Sequence, residues 1–256
     1  MRITRLRPAE IDHMRRAGRV AAETLSRVGQ WLEPGVRTSE IDAWVRADTA
    51  RQGARPSQLG YHGFPAAVCT SRNDVACHGI PREDEVLEDG DLVSVDVTSQ
   101  LDGWHGDTCA TFAVGTPSPE AAHLLETARR CRDEGIAQVR AGVRLGDVGA
   151  VIEAVARRAG CGVVRVVGGH GIGRRMHQPP HVDHFGSPGR GNRLKAGMAI
   201  TIEPILTLGA PDLVTDADGW TMRTLDGSWA AQFEHTIVVE EDGAQITTLA
   251  VEPRVR

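Results

Sequence analysis

LVSVDVTSQLDGWHGDTCATF, residues 92–112, is the stretch from which the fold can be read. Val93, Val95 and Val97 alternate with Ser94, Asp96 and Thr98; the chain reverses at Asp102-Gly103 and resumes as a threonine-rich and aromatic run to Phe112. Period-two alternation around an Asp-Gly dipeptide is the signature of an antiparallel hairpin. With Asp102 and Gly103 as the two turn residues, Leu101 faces Trp104 and Thr98 faces Asp107, so Asp96, Thr98, Asp107 and Cys109 share one face. The two carboxylates then lie diagonally across adjacent strands, roughly 7 Å apart at Cβ. Two unpaired anions so placed repel each other, and a shared cation relieves the repulsion. A solvated hairpin face is the plainer reading of this pattern alone; the rest of the chain weighs against it.

Upstream of the hairpin, Ile11, Met14, Ala17, Ala21, Leu25, Val28 and Leu32 recur at helical spacing until Pro34-Gly35 ends the pattern. Thr38-Ser39-Glu40 opens a second amphipathic helix that stops near Gly53. Residues 54–65 read as loop, and a short strand over residues 66–70 precedes the segment CHGIP at 77–81. After Pro117 and Pro119 the order starts again: a helix over residues 120–139, a turn, a helix ending at Gly160, and strand-like VVRVV at 163–167. Glycine- and histidine-rich GGHGIGRRMHQPPHVDH follows at 168–184, then AITIEPI at 199–205, FEHTIVVE at 233–240 and a last strand near residues 246–251.

The two halves match at one offset. Gly142-Val143-Arg144 repeats Gly35-Val36-Arg37 at a distance of 107 (142 less 35), and the same offset pairs Ala43 with Ala150, Gly53 with Gly160, Gly90 with Gly197 and Asp96 with Glu203. A register shared by helix, turn and strand predicts a duplicated unit, residues 10–113 and 117–240, packed as one pseudo-symmetric domain over residues 1–256.

Composition narrows the classes. The 256 residues are 41% hydrophobic, ample for one core, and the formal net charge of −5 offers no basic surplus for nucleic acid or a membrane surface. Neither a signal-peptide core nor a run of 18 apolar residues occurs, so the expected location is the cytoplasm. The five cysteines contain no CxxC, which argues against a disulfide framework or a thiolate zinc site.

The acidic residues carry the chemistry. Asp96 and Glu203 occupy equivalent apolar strands, and Glu234 precedes the strand IVV; a carboxylate in such a run is costly unless a cation or donor compensates it. His170 lies between glycines that leave room for a ligand. Asp96, Asp107, Glu203, Glu234 and His170 together suit two hard-to-borderline divalent ions. The competing readings are weaker. GGHGIG spaces its glycines as GxGxG rather than GxGxxG and no GK[ST] follows, and neither Cys69 nor Cys109 has a neighbour that would activate a thiolate.

CHGIP at 77–81, DGDLVSVDVT at 89–98, DGWHGDTCATF at 102–112, GGHGIGRRMH at 168–177, GMAITIEPI at 197–205 and AQFEHTIVV at 231–239 resemble type I methionine aminopeptidases, in order and over nearly the whole chain. The resemblance implies an α+β pita-bread fold, with two pseudo-symmetric halves of antiparallel strands covered by helices around a dinuclear metal centre. It implies that Asp96, Asp107 and Glu234 hold one ion and that Asp107, Glu234, His170 and Glu203 hold the other, the metal being Mn, Fe, Co or Zn. Glu203 then relays a proton, His78 and His177 contact the scissile amide, and Tyr61, Phe64, Cys69, Met176 and Trp220 line the methionine pocket. For these aromatics and sulfurs, plain core packing is the competing reading. The implied reaction is removal of the initiator methionine before a small second residue. Its partners are peptide or nascent-protein N-termini, with ribosome association an open option and a monomer the expected state. The short N-terminus resembles the bacterial form. Departures occur at Gln178-Pro179, where the family usually carries two glutamates and where the lost charges are expected to alter the surroundings of the metal ligands or the pocket rim, and at Met176 for a common phenylalanine and Gln58 for a small thiol, which are expected to touch specificity more than metal binding. An Xaa-Pro peptidase or dipeptidase of the same fold, and a regulatory protein that keeps the fold without the activity, are the alternatives.

Overall fold

The computed structural model describes residues 3–250. The hairpin forms in the expected register: Leu92–Leu101 and Trp104–Ala113 pair antiparallel, with Leu101 opposite Trp104, Thr98 opposite Asp107 and Asp96 opposite Cys109. Asp102 and Gly103 both take left-handed backbone, with φ of 52° and 78°. That combination suits a two-residue turn whose twist matches the strands it joins.

Helix α1, Pro8–Trp31, buries Met14, Ala17, Ala21, Leu25 and Val28. It crosses the hairpin at near-backbone contact: a Cβ on Gly106 would lie 2.3 Å from the Cα of Gly18. Only two glycines permit that approach. Helix α2, Thr38–Arg51, completes the first half, whose core gathers Ala21, Val28, Ile41, Val45, Val93, Val95 and Val97. Helices α3, Pro119–Ala137, and α4, Leu145–Arg158, cover the second half over Leu124, Val148, Ile152, Ile200, Ile202 and Ile237.

Local structure recurs between the halves at the offset seen in the sequence. Gly35 N donates to Leu87 O at 2.8 Å and Gly142 N to Leu194 O at 2.9 Å; Leu87 N returns to Val36 O and Leu194 N to Val143 O, each at 2.8 Å. Both helices that follow, α2 and α4, are capped by an acidic side chain of the first turn: Glu40 accepts from Arg37 N at 2.8 Å and Asp147 from Arg144 N at 2.9 Å. Gly35 and Gly142 share positive φ, 99° and 94°. The halves are stitched along the Trp104–Ala113 strand by threonines. Thr108 Oγ1 donates to Glu234 O at 2.9 Å, Thr111 Oγ1 to Gln232 O at 2.8 Å and Thr236 Oγ1 to Asp107 O at 2.8 Å.

Four expectations need correction. AITIEPI is not one strand: Ala199–Ile202 belongs to a five-stranded sheet and Ile205–Thr207 to a separate three-stranded one, so the chain changes sheet at Glu203-Pro204, where proline cannot donate to a ladder. VVRVV is strand only over Gly162–Val163, with Val164 N still donating to Ile205 O at 3.0 Å; beyond it Arg165 pairs with Glu153 and stacks on Phe185 at 4.4 Å, and Val166 is exposed. The span 54–65 read as loop contains a two-residue strand, Arg55–Pro56, and a turn of 3-10 helix, Tyr61–Gly63; the strand that follows runs over Cys69–Arg72. The last strand is Ala244–Ile246; Val251 lies outside the described residues.

Asp48 ties α2 to α1 from a buried position, accepting from Thr24 Oγ1 at 2.8 Å and from Arg27 Nε at 2.9 Å, and pairing with Arg51. Burial opposes its charge, but the bonds from Arg27, Thr24 and Arg51 outweigh burial and hold its carboxyl below the ordinary range. A lowered folded value means a contribution present above the unfolded pKa, about 4 for aspartate, and lost as pH falls through the folded one. Asp48→Asn is expected to cost about 2 kcal/mol in urea denaturation at pH 7, with a smaller difference at acidic pH.

Candidate metal centre

The acidic residues meet where the two halves join and where two ladders are interrupted. Ile202 pairs with His235 in one sheet and Ile205 with Gln232 in the next, so the unpaired Glu203-Pro204 and Phe233-Glu234 face each other between the sheets. Asp96 and Asp107 arrive from the adjacent hairpin strands and His170 from Gly169–Gly171. One ligand atom from each of Asp107, His170 and Glu234 falls within 4.8 Å of the others.

The hydrogen bonds fix the orientation of these groups. His170 Nδ1 lies 3.1 Å from the carbonyl of Gly171; a carbonyl only accepts, so Nδ1 carries the proton and Nε2 presents its lone pair. That Nε2 is 3.7 Å from Asp107 Oδ2 and 3.6 Å from Glu203 Oε1, too far for hydrogen bonds. Thr98 Oγ1 donates to Asp107 Oδ1 at 2.6 Å and Thr201 Oγ1 to Glu203 Oε1 at 2.5 Å, while Gln232 Nε2 approaches Glu203 Oε2 at 3.3 Å.

Electrostatics point to a missing positive charge. Burial, then repulsion from neighbouring carboxylates, holds Asp96 and Glu234 far above the ordinary carboxylate range. Burial also raises Asp107 to about 6 and Glu203 to about 8. His170 is lowered to about 3 by burial and by the neighbouring His177, so it is neutral at physiological pH. Asp96 Oδ1 and Glu234 Oε1 are buried and have no hydrogen-bond partner among the described residues. Orphaned anionic oxygens beside a free imidazole lone pair fit divalent cations, and the oxygen-rich donor set with one nitrogen suits first-row ions.

The structure brings the remaining candidates to the same place. Tyr61, Phe64, Cys69, His78, Met176, His177 and Trp220 line a cavity of about 370 Å³ together with all five ligand candidates. His177 Nδ1 is 2.8 Å from the Tyr61 hydroxyl, and its ring sits edge-on to His170 with centroids 4.2 Å apart. Trp220 packs edge-on against Phe64, centroids 5.2 Å apart. It is carried by a hairpin of Leu213–Thr215 and Met222–Thr224, which Arg223 ties through Asp216 and Asp74 at 2.8 and 2.9 Å. His78 holds positive φ, 55°, a strained conformation that tertiary packing must maintain.

Sequence reasoning missed Thr201, Gln232, His184 and the placement of Gln58. Thr201 and Gln232 stand two residues before Glu203 and Glu234, so strand alternation could have flagged both. His184, whose Nε2 accepts from Glu203 N at 3.0 Å, and Gln58 left no local signal.

Antiparallel sheets meeting around a buried carboxylate–imidazole cluster at the floor of a cleft define a metal-dependent hydrolase, and the comparisons agree. The model of metallopeptidase family M24 matches residues 12–241. Methionine aminopeptidase A of Synechocystis is 46% identical over 247 residues, 96% of this chain and 98% of that protein. The Escherichia coli methionine aminopeptidase is 43% identical over 243 residues, 94% of this chain and 92% of that one. The methionine aminopeptidase structure from Rickettsia prowazekii superposes with a TM-score of 0.95 at 41% identity, covering 97% of this chain and all (100%) of that one. Prolidase from Pyrococcus furiosus, 18% identical with a TM-score of 0.76, shares the fold over 97% of this chain and 66% of its own. The chain belongs to metallopeptidase family M24, and within it to the type I methionine aminopeptidases. Its α+β architecture is the pita-bread fold of that family.

If the cluster holds divalent ions, binding stabilises the folded state by mass action, about 2.7 kcal/mol at a hundredfold excess over Kd. Mn²⁺ added to chelator-treated protein is expected to raise the melting temperature. Asp107→Asn and His170→Ala are each expected to remove that shift, as read by scanning calorimetry.

Proposed function

We propose that this chain removes the initiator methionine from new polypeptides. The observation that carries the proposal is the convergence of Asp107, His170 and Glu234 at the floor of a cavity walled by Tyr61, Phe64, Cys69, Met176 and Trp220. An unbranched thioether suits a pocket of aromatic rings and sulfurs. Two ions would be held, one by Asp96, Asp107 and Glu234 and one by Asp107, Glu234, His170 and Glu203; when bound they supply Lewis-acid polarisation of the scissile carbonyl and activation of water. Glu203 serves as the proton carrier that the family resemblance implies, a carboxylate in the cavity of the cluster able to accept a proton and pass it on. Thr201 and Gln232 hold its two oxygens in place.

His177 and His78 donate to the amide undergoing cleavage. Burial lowers His177 to about 4 and lowers His78 as well, so both are neutral at pH 7. With the Tyr61 hydroxyl donating to Nδ1 of His177, its Nε2–H is left to donate to the developing oxyanion. The small second residue, nascent-chain substrates, ribosome association, a monomeric state and cytoplasmic residence belong to the same proposal and rest on the family resemblance. Among the described residues no helix is long and apolar enough to cross a membrane. The recurring hydrogen bonds at the 107-residue offset support the proposal of one catalytic domain with a duplicated interior.

Protein stripped of metal and reloaded with Mn²⁺, Fe²⁺, Co²⁺ or Zn²⁺ is expected to release methionine from Met-Ala-Ser. Asp107→Asn and His170→Ala should abolish the reaction, and His177→Ala should lower kcat by roughly 10² to 10³. Cleavage confined to Xaa-Pro peptides would assign the chain to the dipeptidase relatives instead, and metal binding without turnover of any peptide would make it a regulatory protein.

A further inference from the structure

One edge of the Leu92–Leu101 strand has a gap at the metal centre. Arg55 and Pro56 pair with Gln100 and Ser99, and Cys69–Arg72 pairs with residues 93–96. Ser57 N reaches Thr98 O at 2.8 Å, but among the described residues no strand covers the rung beyond it. The side chain of Gln58 fills that rung. Its Nε2 donates to Asp96 O at 2.8 Å and its Oε1 accepts from Thr98 N at 3.2 Å. Gln58 is 6% exposed and lines the cavity. A carboxamide presents a donor and an acceptor on adjacent atoms, as a peptide unit does, and so can replace the missing rung.

The two residues capped in this way are those that orient the hairpin's contribution to the centre. Asp96 carries one carboxylate, and the Thr98 hydroxyl holds Asp107 at 2.6 Å. We propose that Gln58 is a positioning residue for the metal centre, fixing the backbone at Asp96 and Thr98 and, through it, the Asp96 and Asp107 carboxylates. This rests on the reading above that those carboxylates hold the ions. It differs from the expectation drawn from sequence, which assigned position 58 to specificity. A thiol, the common residue there in the family, cannot span both backbone groups.

The test compares Gln58→Met with Gln58→Cys by titrating metal-free protein with Mn²⁺ in a calorimeter and by separating kcat from KM on Met-Ala-Ser. Methionine keeps the volume but removes both hydrogen bonds; cysteine leaves a hole that water can enter to bridge Asp96 O and Thr98 N. Gln58→Met is expected to bind Mn²⁺ about tenfold more weakly and to lose kcat with KM near the parental value, and Gln58→Cys should fall between it and the parent. A residue that merely fills space gives the reverse order, with cysteine the worse. That order, an unchanged Mn²⁺ affinity in Gln58→Met, or an effect confined to KM would overturn the proposal. Should one variant not fold, as judged by circular dichroism, the Mn²⁺ affinity of the other decides. Turnover by the parent tests the peptidase reading separately, because the calorimetric comparison does not depend on it.

Discussion

Carboxylates crowded together out of water are the constraint around which this molecule is arranged. Asp96, Asp107, Glu203 and Glu234 are each raised by burial, and two of their oxygens, Asp96 Oδ1 and Glu234 Oε1, have no donor among the described residues. No packing arrangement of apolar side chains relieves that; only positive charge or protonation does. The fold tolerates the cluster because each half has a core of its own and two further apolar clusters, one with Met14, Trp104, Ile172 and Val238 and one with Cys77, Val164, Ile205 and Ala230, span both, so the acidic seam is not asked to hold them together alone. Threonine hydroxyls across the seam supply directional bonds where hydrophobic contact would be misplaced.

The site lies where the regular ladders stop. At Glu203-Pro204 and Phe233-Glu234 the paired strands leave one sheet and enter another without a change of register, so the two glutamates fall opposite each other and off either ladder. On the hairpin edge the interruption is filled by a side chain, Gln58, instead of a strand. Function and irregularity coincide because a rung given up to the backbone ladder is a rung unavailable to a ligand.

The pocket wall is held by polar ties at a distance from the chemistry. Trp220 reaches Phe64 from a hairpin fixed by Arg223, whose guanidinium joins Asp216 in the second half to Asp74 in the first. Asp218 closes the turn beneath Trp220, accepting from Trp220 N at 2.8 Å and Thr221 N at 2.9 Å. The aromatic wall therefore depends on both halves, as the metal cluster does.

Short-range patterns determined a good part of this structure. The Asp-Gly turn and the alternating valines set the hairpin register, and with it the diagonal placement of Asp96 and Asp107, because a two-residue turn leaves one pairing that keeps the valines in the core. Helical periodicity located α1 to α4 within a few residues, since their apolar stripes are local properties of the chain. Strand propensity failed at VVRVV, where pairing ends at Val164, and at AITIEPI, where the change of sheet at Pro204 overrode it. Only the tertiary structure decided that Gln58 caps the hairpin edge and that His184 reaches Glu203, and that Glu203 and Glu234 face each other between two sheets. Those juxtapositions join residues far apart in the chain, and no local periodicity encodes the distance between them.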